Sequence, residues 1–258
     1  MPTAEAILAL DRLLEVMTFR RRDRELAPIV RRATKALRTA FLRQGGAFVR
    51  RLDKRLREAL ALGPWESDFD AASLETLALF TEPLTGLAEA ALAAGVRVAL
   101  ADVTTDIAFD LSNPKAVAYL KDYAAELVTG LNDASKAQLR TLLTQAVDEG
   151  WSYGKTATAI RKEFVGFSRG RAVTVATHEA GNAYEHGNML VAQELGDMGL
   201  TMEKSWLTAG TPCDDICAPN EADGWIPVDQ SFSSGDDRPL GHPNCQCALL
   251  TRRQSKGD

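Results

Sequence analysis

The stretch GHPNCQC, residues 241–247, places one histidine and two cysteines within seven residues, and PCDDIC, residues 212–217, holds the only other two cysteines in the chain. Thiolate and imidazole are the preferred ligands of tetrahedral zinc, and two close groups joined by a loop are the usual topology of a structural site. Cys213 and Cys217 supply the first pair, and His242, Cys245 and Cys247 follow 25 residues later. Five ligands compete for four positions. We assign Cys213, Cys217 and Cys245, and leave the fourth place between His242 and Cys247, because a one-residue gap makes joint ligation by Cys245 and Cys247 awkward. Free thiols or a disulfide are the alternatives.

The segment around the cluster reads as a small module. After Gly199 the pieces EKSWLTAG, GWIPV and CQCALLTRR are short and β-prone, separated by Asp, Pro, Gly and Ser. Between the ligand groups the large apolar residues are mainly Trp225, Ile226, Val228 and Phe232. So little apolar surface needs a staple.

Upstream of the module the periodicity is helical. Leu26, Ile29, Val30, Ala33, Leu37, Ala40 and Phe41 recur at spacings of three and four, and Phe48, Leu52, Leu56 and Leu60 continue after Gly45-Gly46. Gly63-Pro64 ends the run. Residues 65–112 predict shorter helices broken at Pro83, Gly86 and Gly95. Ala116, Leu120, Tyr123, Leu127 and Leu131 form the next face, NDAS (132–135) supplies capping residues, and Leu139, Leu142, Leu143, Ala146 and Val147 form another. Gly150 is a natural stop. A short helix over YGKTATAIRKEF and a longer one from Ser168 to about Leu195 complete the body. The fold class expected is mainly α, a helical body with a small C-terminal β/loop module held by a Cys/His zinc site. Its parts are a basic N-terminal helical arm (1–62), the body (63–198) and the module (199–258).

Charge is unevenly spread. The net charge is −5, yet residues 1–62 hold 15 of the 30 Lys and Arg against seven acids. That makes the arm about +8 and the remainder about −13. The basic residues include Arg20, Arg21, Arg22, Arg24, Arg31, Arg32, Arg50, Arg51 and Arg55. They could meet DNA or an acidic protein surface, or form the solvated face of amphipathic helices. We favour protein contact, because the arm lacks the aromatic interleaving of single-strand binders.

No apolar run approaches the ~20 residues that span a bilayer. The N-terminal positive charges follow the apolar stretch, the wrong order for a secretory signal. A reducing cytoplasm is expected, where clustered cysteines favour metal over disulfide.

Enzymatic signals are sparse. THEAGNAYEH (177–186) approaches the H-E-x-x-H of zinc hydrolases, but Asn182 stands where the second histidine belongs. His186 lies ~12 Å along a helix from His178, too far to share an ion. There is no phosphate-cradling glycine loop and no Gly-x-Ser-x-Gly elbow. A zinc-dependent hydrolase or nuclease at residues 213–247, and a free nucleic-acid-binding protein, remain competing readings.

The order of motifs from about residue 110 to 250 resembles the C-terminal head-morphogenesis domain of tailed-phage minor head proteins, the Mu protein F-like family. It runs EGWSYGKTATAIRKEF, VATHEAGNAYEHGNMLVAQELG, SWLTAGTPCDDIC and GHPNCQC. Thr177 and His178 stand in place of the family's Arg-Thr pair while Glu179 is kept, Gln246 replaces an arginine, and the first Cys pair is spaced by three residues. The resemblance implies a low-copy, non-enzymatic virion and procapsid component near the portal vertex, acting in head assembly, DNA packaging or ejection. Its partners would be the portal protein, scaffold or major capsid protein, and packaged DNA, with no membrane. The protein would lie in the host cytoplasm before assembly.

Overall fold

A computed structural model describes residues 4–57, 65–101, 103, 114–209, 215–242 and 244–254. Among the described residues the protein is mainly helical, with one three-stranded sheet. Five long helices come first: α1 (Ala4–Arg57), α2 (Trp65–Glu75), α3 (Leu77–Ala101), α4 (Pro114–Asp148) and α5 (Tyr153–Asp197). The module follows as β1 (Met202–Leu207), α6 (Cys217–Ala222), β2 (Ile226–Pro227) and β3 (Ala248–Arg253).

The chain divides into two compact units of non-consecutive segments. One contains residues 1–30, 87–118 and 177–258, the other 31–86 and 119–176. In the second unit a purely helical core gathers Phe48, Leu52, Phe69, Leu139, Leu143, Ile160 and Phe164. Phe41 packs edge-on to Phe80, and Phe48 to Phe69, with centroids 5.0 and 5.6 Å apart. Edge-to-face pairs of this kind add to what burial alone contributes.

Several expected helix breaks are absent, and packing explains them. α1 runs through Gly45-Gly46, because Gly45 lies directly under the Phe164 ring, where a Cβ would overlap the aromatic carbons. α3 runs through Pro83, Gly86 and Gly95. In the first unit Gly95 faces the Tyr184 carbonyl and Gly187 faces the Leu92 carbonyl, so α3 and α5 touch backbone to backbone. α4 runs through NDAS: Ser135 is buried, donates to Leu131 O and accepts from Arg171 Nη1 at 2.8 Å. The two helices expected over 153–195 are one, α5. The stop at Gly150 is present, with φ +61° after the last turn of α4. The stop at Gly63-Pro64 lies outside the described residues.

Uninterrupted, α3 is long and apolar enough to cross a membrane, contrary to the reading that no run approaches that length. Its residues Phe80 and Leu84 are buried in one unit, and Leu87, Ala91, Leu92 and Val96 in the other. Core helices of this composition pass the same length test.

The sheet has order β2-β1-β3, all antiparallel, with Trp206 opposite Leu249 and Glu203 opposite Arg252. The Glu203–Arg252 pair closes at 2.8 Å, and the Arg252 guanidinium lies 4.3 Å over the Trp225 ring. β1 is the central strand and is buried along most of its length. Even Lys204 is buried: its Nζ donates to the Asp237 carbonyl at 2.8 Å and sits 5.2 Å from the Phe232 ring centre. Burial draws its pKa down, opposed by Asp237 and Asp229. Trp206 meets Phe232 edge-on at 5.3 Å, so the loop over residues 229–237 is held against the sheet.

Candidate metal centre

α6 and the turn before β3 bring three ligands together. Cys217 is the first residue of α6, and a tight turn in which Cys245 N donates to His242 O at 3.1 Å presents the other two. Asn244 in this turn adopts φ +64°, a left-handed conformation that asparagine tolerates. Leu240, just ahead of the turn, also has positive φ, +75°. Its side chain is buried against Gly181 of α5, at a distance of 3.2 Å from where a Cβ would stand.

The donor atoms of Cys217, His242 and Cys245 all lie within 4.8 Å of one another. Cys217 Sγ is 3.9 Å from Cys245 Sγ and 3.1 Å from His242 Nε2. A zinc tetrahedron with Zn–S near 2.3 Å has an S–S edge of about 3.8 Å and an S–N edge of about 3.6 Å. The sulfur pair fits that edge, and the S–N contact needs to open by about half an ångström. The residues present fit a metal.

Cys247 stands beside this group. Its thiol accepts from Cys245, and with the Ala209 N–H this brings its pKa down to about 5, against the opposing effect of burial. Donating that bond, together with burial, raises the Cys245 pKa. A metal at Cys245 must therefore displace a tightly held proton, so loading becomes easier as pH rises. Cys213 lies outside the described residues. The structure thus places His242 with Cys217 and Cys245, and places Cys247 as a hydrogen-bond partner of those thiols.

The surrounding polar groups hold the ligand loop from behind. Arg22 Nη1 donates to Cys247 O at 2.7 Å, and Nη2 to Gln246 O at 2.8 Å. The same guanidinium meets Glu185 Oε1 at 3.3 Å, and both side chains are buried. Glu185 Oε2 accepts from Asn188 Nδ2 and from Leu249 N. Burial raises the Glu185 pKa, and Arg22 is the strongest opposing influence. Arg22 therefore has to be removed from the set of partner-binding cations: its donors are spent inside the protein.

The other basic candidates separate as well. Arg21 donates to Val98 O at 3.4 Å, and Arg50 and Arg51 both pair with Glu75, at 3.0 and 2.9 Å. Arg20, Arg24, Arg31 and Arg32 are exposed. The Arg55 side chain lies outside the described residues.

Within THEAGNAYEH, Asn182 and His186 stand one turn apart on the same face of α5. Arg238 bridges this pair, donating Nη1 to Asn182 Oδ1 and Nε to His186 Nδ1, the latter at 3.3 Å. Burial and then Arg238 lower the His186 pKa to about 3, so the ring is neutral and can accept that bond. Burial likewise lowers the pKa of His178, whose Nδ1 is buried with no hydrogen-bond partner among the described residues. Within the stretch that approaches a hydrolase motif, Asn182 and His186 seat Arg238, while Glu185 holds Arg22.

Sequence reasoning gave Arg22 a partner-binding role and missed Glu185, Lys204 and Arg238. For Lys204 the available signal was a charge between Met202 and Trp206 on one strand face.

Fold and site together define a helical protein with a Cys/His-clustered terminal module. Known protein families, curated proteins and solved structures offer no match to the chain.

Proposed function

We propose that the chain is a minor head protein of a tailed phage, a non-enzymatic component present in few copies per particle. It acts at the portal vertex in head assembly and in DNA packaging or ejection. The portal protein is its main partner, with scaffold or major capsid protein beside it. The observation that carries this reading is the ordered run of motifs ending in HPNCQC, whose His242 and Cys245 converge with Cys217.

Zinc is the ion assigned, because two thiols and an imidazole are soft-to-borderline donors with no carboxylate among them. The role assigned is structural. Cys217 and Cys245 are buried, and the loop that carries Cys245 is pinned through Gln246 and Cys247 by Arg22.

Quantitative mass spectrometry of purified procapsids and mature heads tests the proposal. A few copies per particle are expected. Absence from both overturns it.

A further inference from the structure

From Leu26 to Leu52 the chain contains no Asp or Glu but seven Lys and Arg. All seven lie on α1 and within one compact unit. Arg50 and Arg51 are paired with Glu75. The other five, Arg31, Arg32, Lys35, Arg38 and Arg43, are exposed, and none of their charged groups has a hydrogen-bond or ion-pair partner among the described residues.

Helix geometry groups them. At about 100° per residue, Arg31, Lys35 and Arg38 fall within roughly 60° of arc, and Arg32 and Arg43 flank them on one side. The row covers about 18 Å of helix axis. The opposite face is the packed one, with Ala33, Leu37, Ala40 and Phe41 buried.

Like charges three and four residues apart repel and weaken a helix. Elsewhere in the same unit cations are neutralised in place, Lys136 by Asp70 and Arg50 and Arg51 by Glu75. Among the described residues nothing supplies the anions for this row. Against the preference for protein contact drawn from the sequence, we infer that this face of α1 is a binding surface for the phosphate backbone of duplex DNA, whose recognition needs no aromatic stacking.

The chemistry of the row selects that partner over an acidic protein. Protein interfaces are anchored by apolar and aromatic residues at their centre. Between these cations stand Thr34, Ala36 and Thr39, and the one large apolar neighbour exposed on this stretch is Leu42. Phosphate neutralisation needs no such anchor. Duplex DNA offers one charge per about 1.7 Å of axis, dense enough to engage every cation of the row. Contact of this kind is indifferent to base sequence. The inference stands apart from the head-protein reading, since it concerns the purified chain.

The test is fluorescence anisotropy of a labelled duplex with the full-length protein, titrated over salt. The expected slope of log K against log salt lies at about −3.5 to −4.5, from about 0.9 per phosphate contact. Arg31→Gln/Lys35→Gln/Arg38→Gln should weaken binding at least tenfold at low salt and flatten the slope by about 2.7. Arg50→Gln/Arg51→Gln should leave binding within about twofold, because those side chains are already paired. Circular dichroism checks that each variant is folded. Should the triple variant melt, single Gln variants at the five positions are each expected to lower the slope by about one. No binding of the duplex, equal losses in the triple variant and the Arg50/Arg51 control, or tighter binding of an acidic polypeptide than of the duplex would each overturn the inference.

Discussion

Glu185 and Arg22 show what one buried pair does here. The carboxylate is fully buried and satisfied by Arg22, Asn188 and the Leu249 amide. Removing the cation strands a charge in the interior, which typically costs about 3–5 kcal/mol. Arg22→Ala should therefore unfold at markedly lower urea, while Arg22→Met/Glu185→Leu should recover most of the loss. The pair also gives stability a pH dependence. Because the folded-state pKa of Glu185 is raised above its ordinary value, the folded protein holds that proton longer than the unfolded chain does. Its stabilising effect is complete below the unfolded pKa and is lost as pH rises through the folded one. The stability of the native protein relative to Glu185→Gln should thus be greatest below about pH 4 and decline as pH rises, as measured by urea titration at stepped pH. No decline would mean that Arg22 fully offsets the burial of the carboxylate.

At the scale of elements, glycine in this protein has two opposite meanings. Gly187 of α5 abuts the Leu92 carbonyl and Val96 amide of α3, so a methyl group must push the helices apart. Gly86 of α3 has nothing within 4 Å of an added Cβ. Gly187→Ala should destabilise by about 1–3 kcal/mol through overpacking. Gly86→Ala should stabilise by about 0.5–1 kcal/mol, because alanine loses less conformational freedom in a helix. Thermal unfolding of the two variants checks both signs. The same duality marks how much of the fold was legible in the sequence. The strands around Trp206, Ile226 and Leu249 could be read, because short β-prone pieces flanked by turn residues report local preference. The continuity of α1, α3 and α5 could not. Local propensity makes Gly45 and Gly95 look like breaks, whereas each is a close-packing contact with a distant residue. The ligands of the site were legible for the same local reason, as soft donors at short spacing. Arg22 and Arg238 were not, because their partners lie 225 and 52 to 56 residues away.

For the whole molecule, the metal centre divides what chelation should reach. A metal held by Cys217, His242 and Cys245 would tie the start of α6 to the turn before β3, beside a sheet in which β1 and β3 pair directly. The segment between the ligand groups buries few large side chains, chiefly Phe232 and Val228. The core over Phe48, Phe69, Leu139, Ile160 and Phe164 contains neither cysteine nor histidine. Metal binding free energy would therefore be folding free energy for the module alone. The purified protein should carry close to one zinc per chain by elemental analysis. Stripping it with a chelator, or Cys217→Ser, should raise amide exchange across residues 202–253 while residues 37–53 and 139–164 keep their protection. Restoring zinc should reverse the first change and not the second. Since the Cys245 proton must leave for the ion to bind, the zinc concentration needed for reprotection should fall as pH is raised. Equal exchange in both regions after chelation would show that the centre supports the whole chain. Unchanged exchange in the module would show that the Arg22 clamp and the sheet hold it without an ion, and the three donors would then be buried thiols and a histidine with no structural metal.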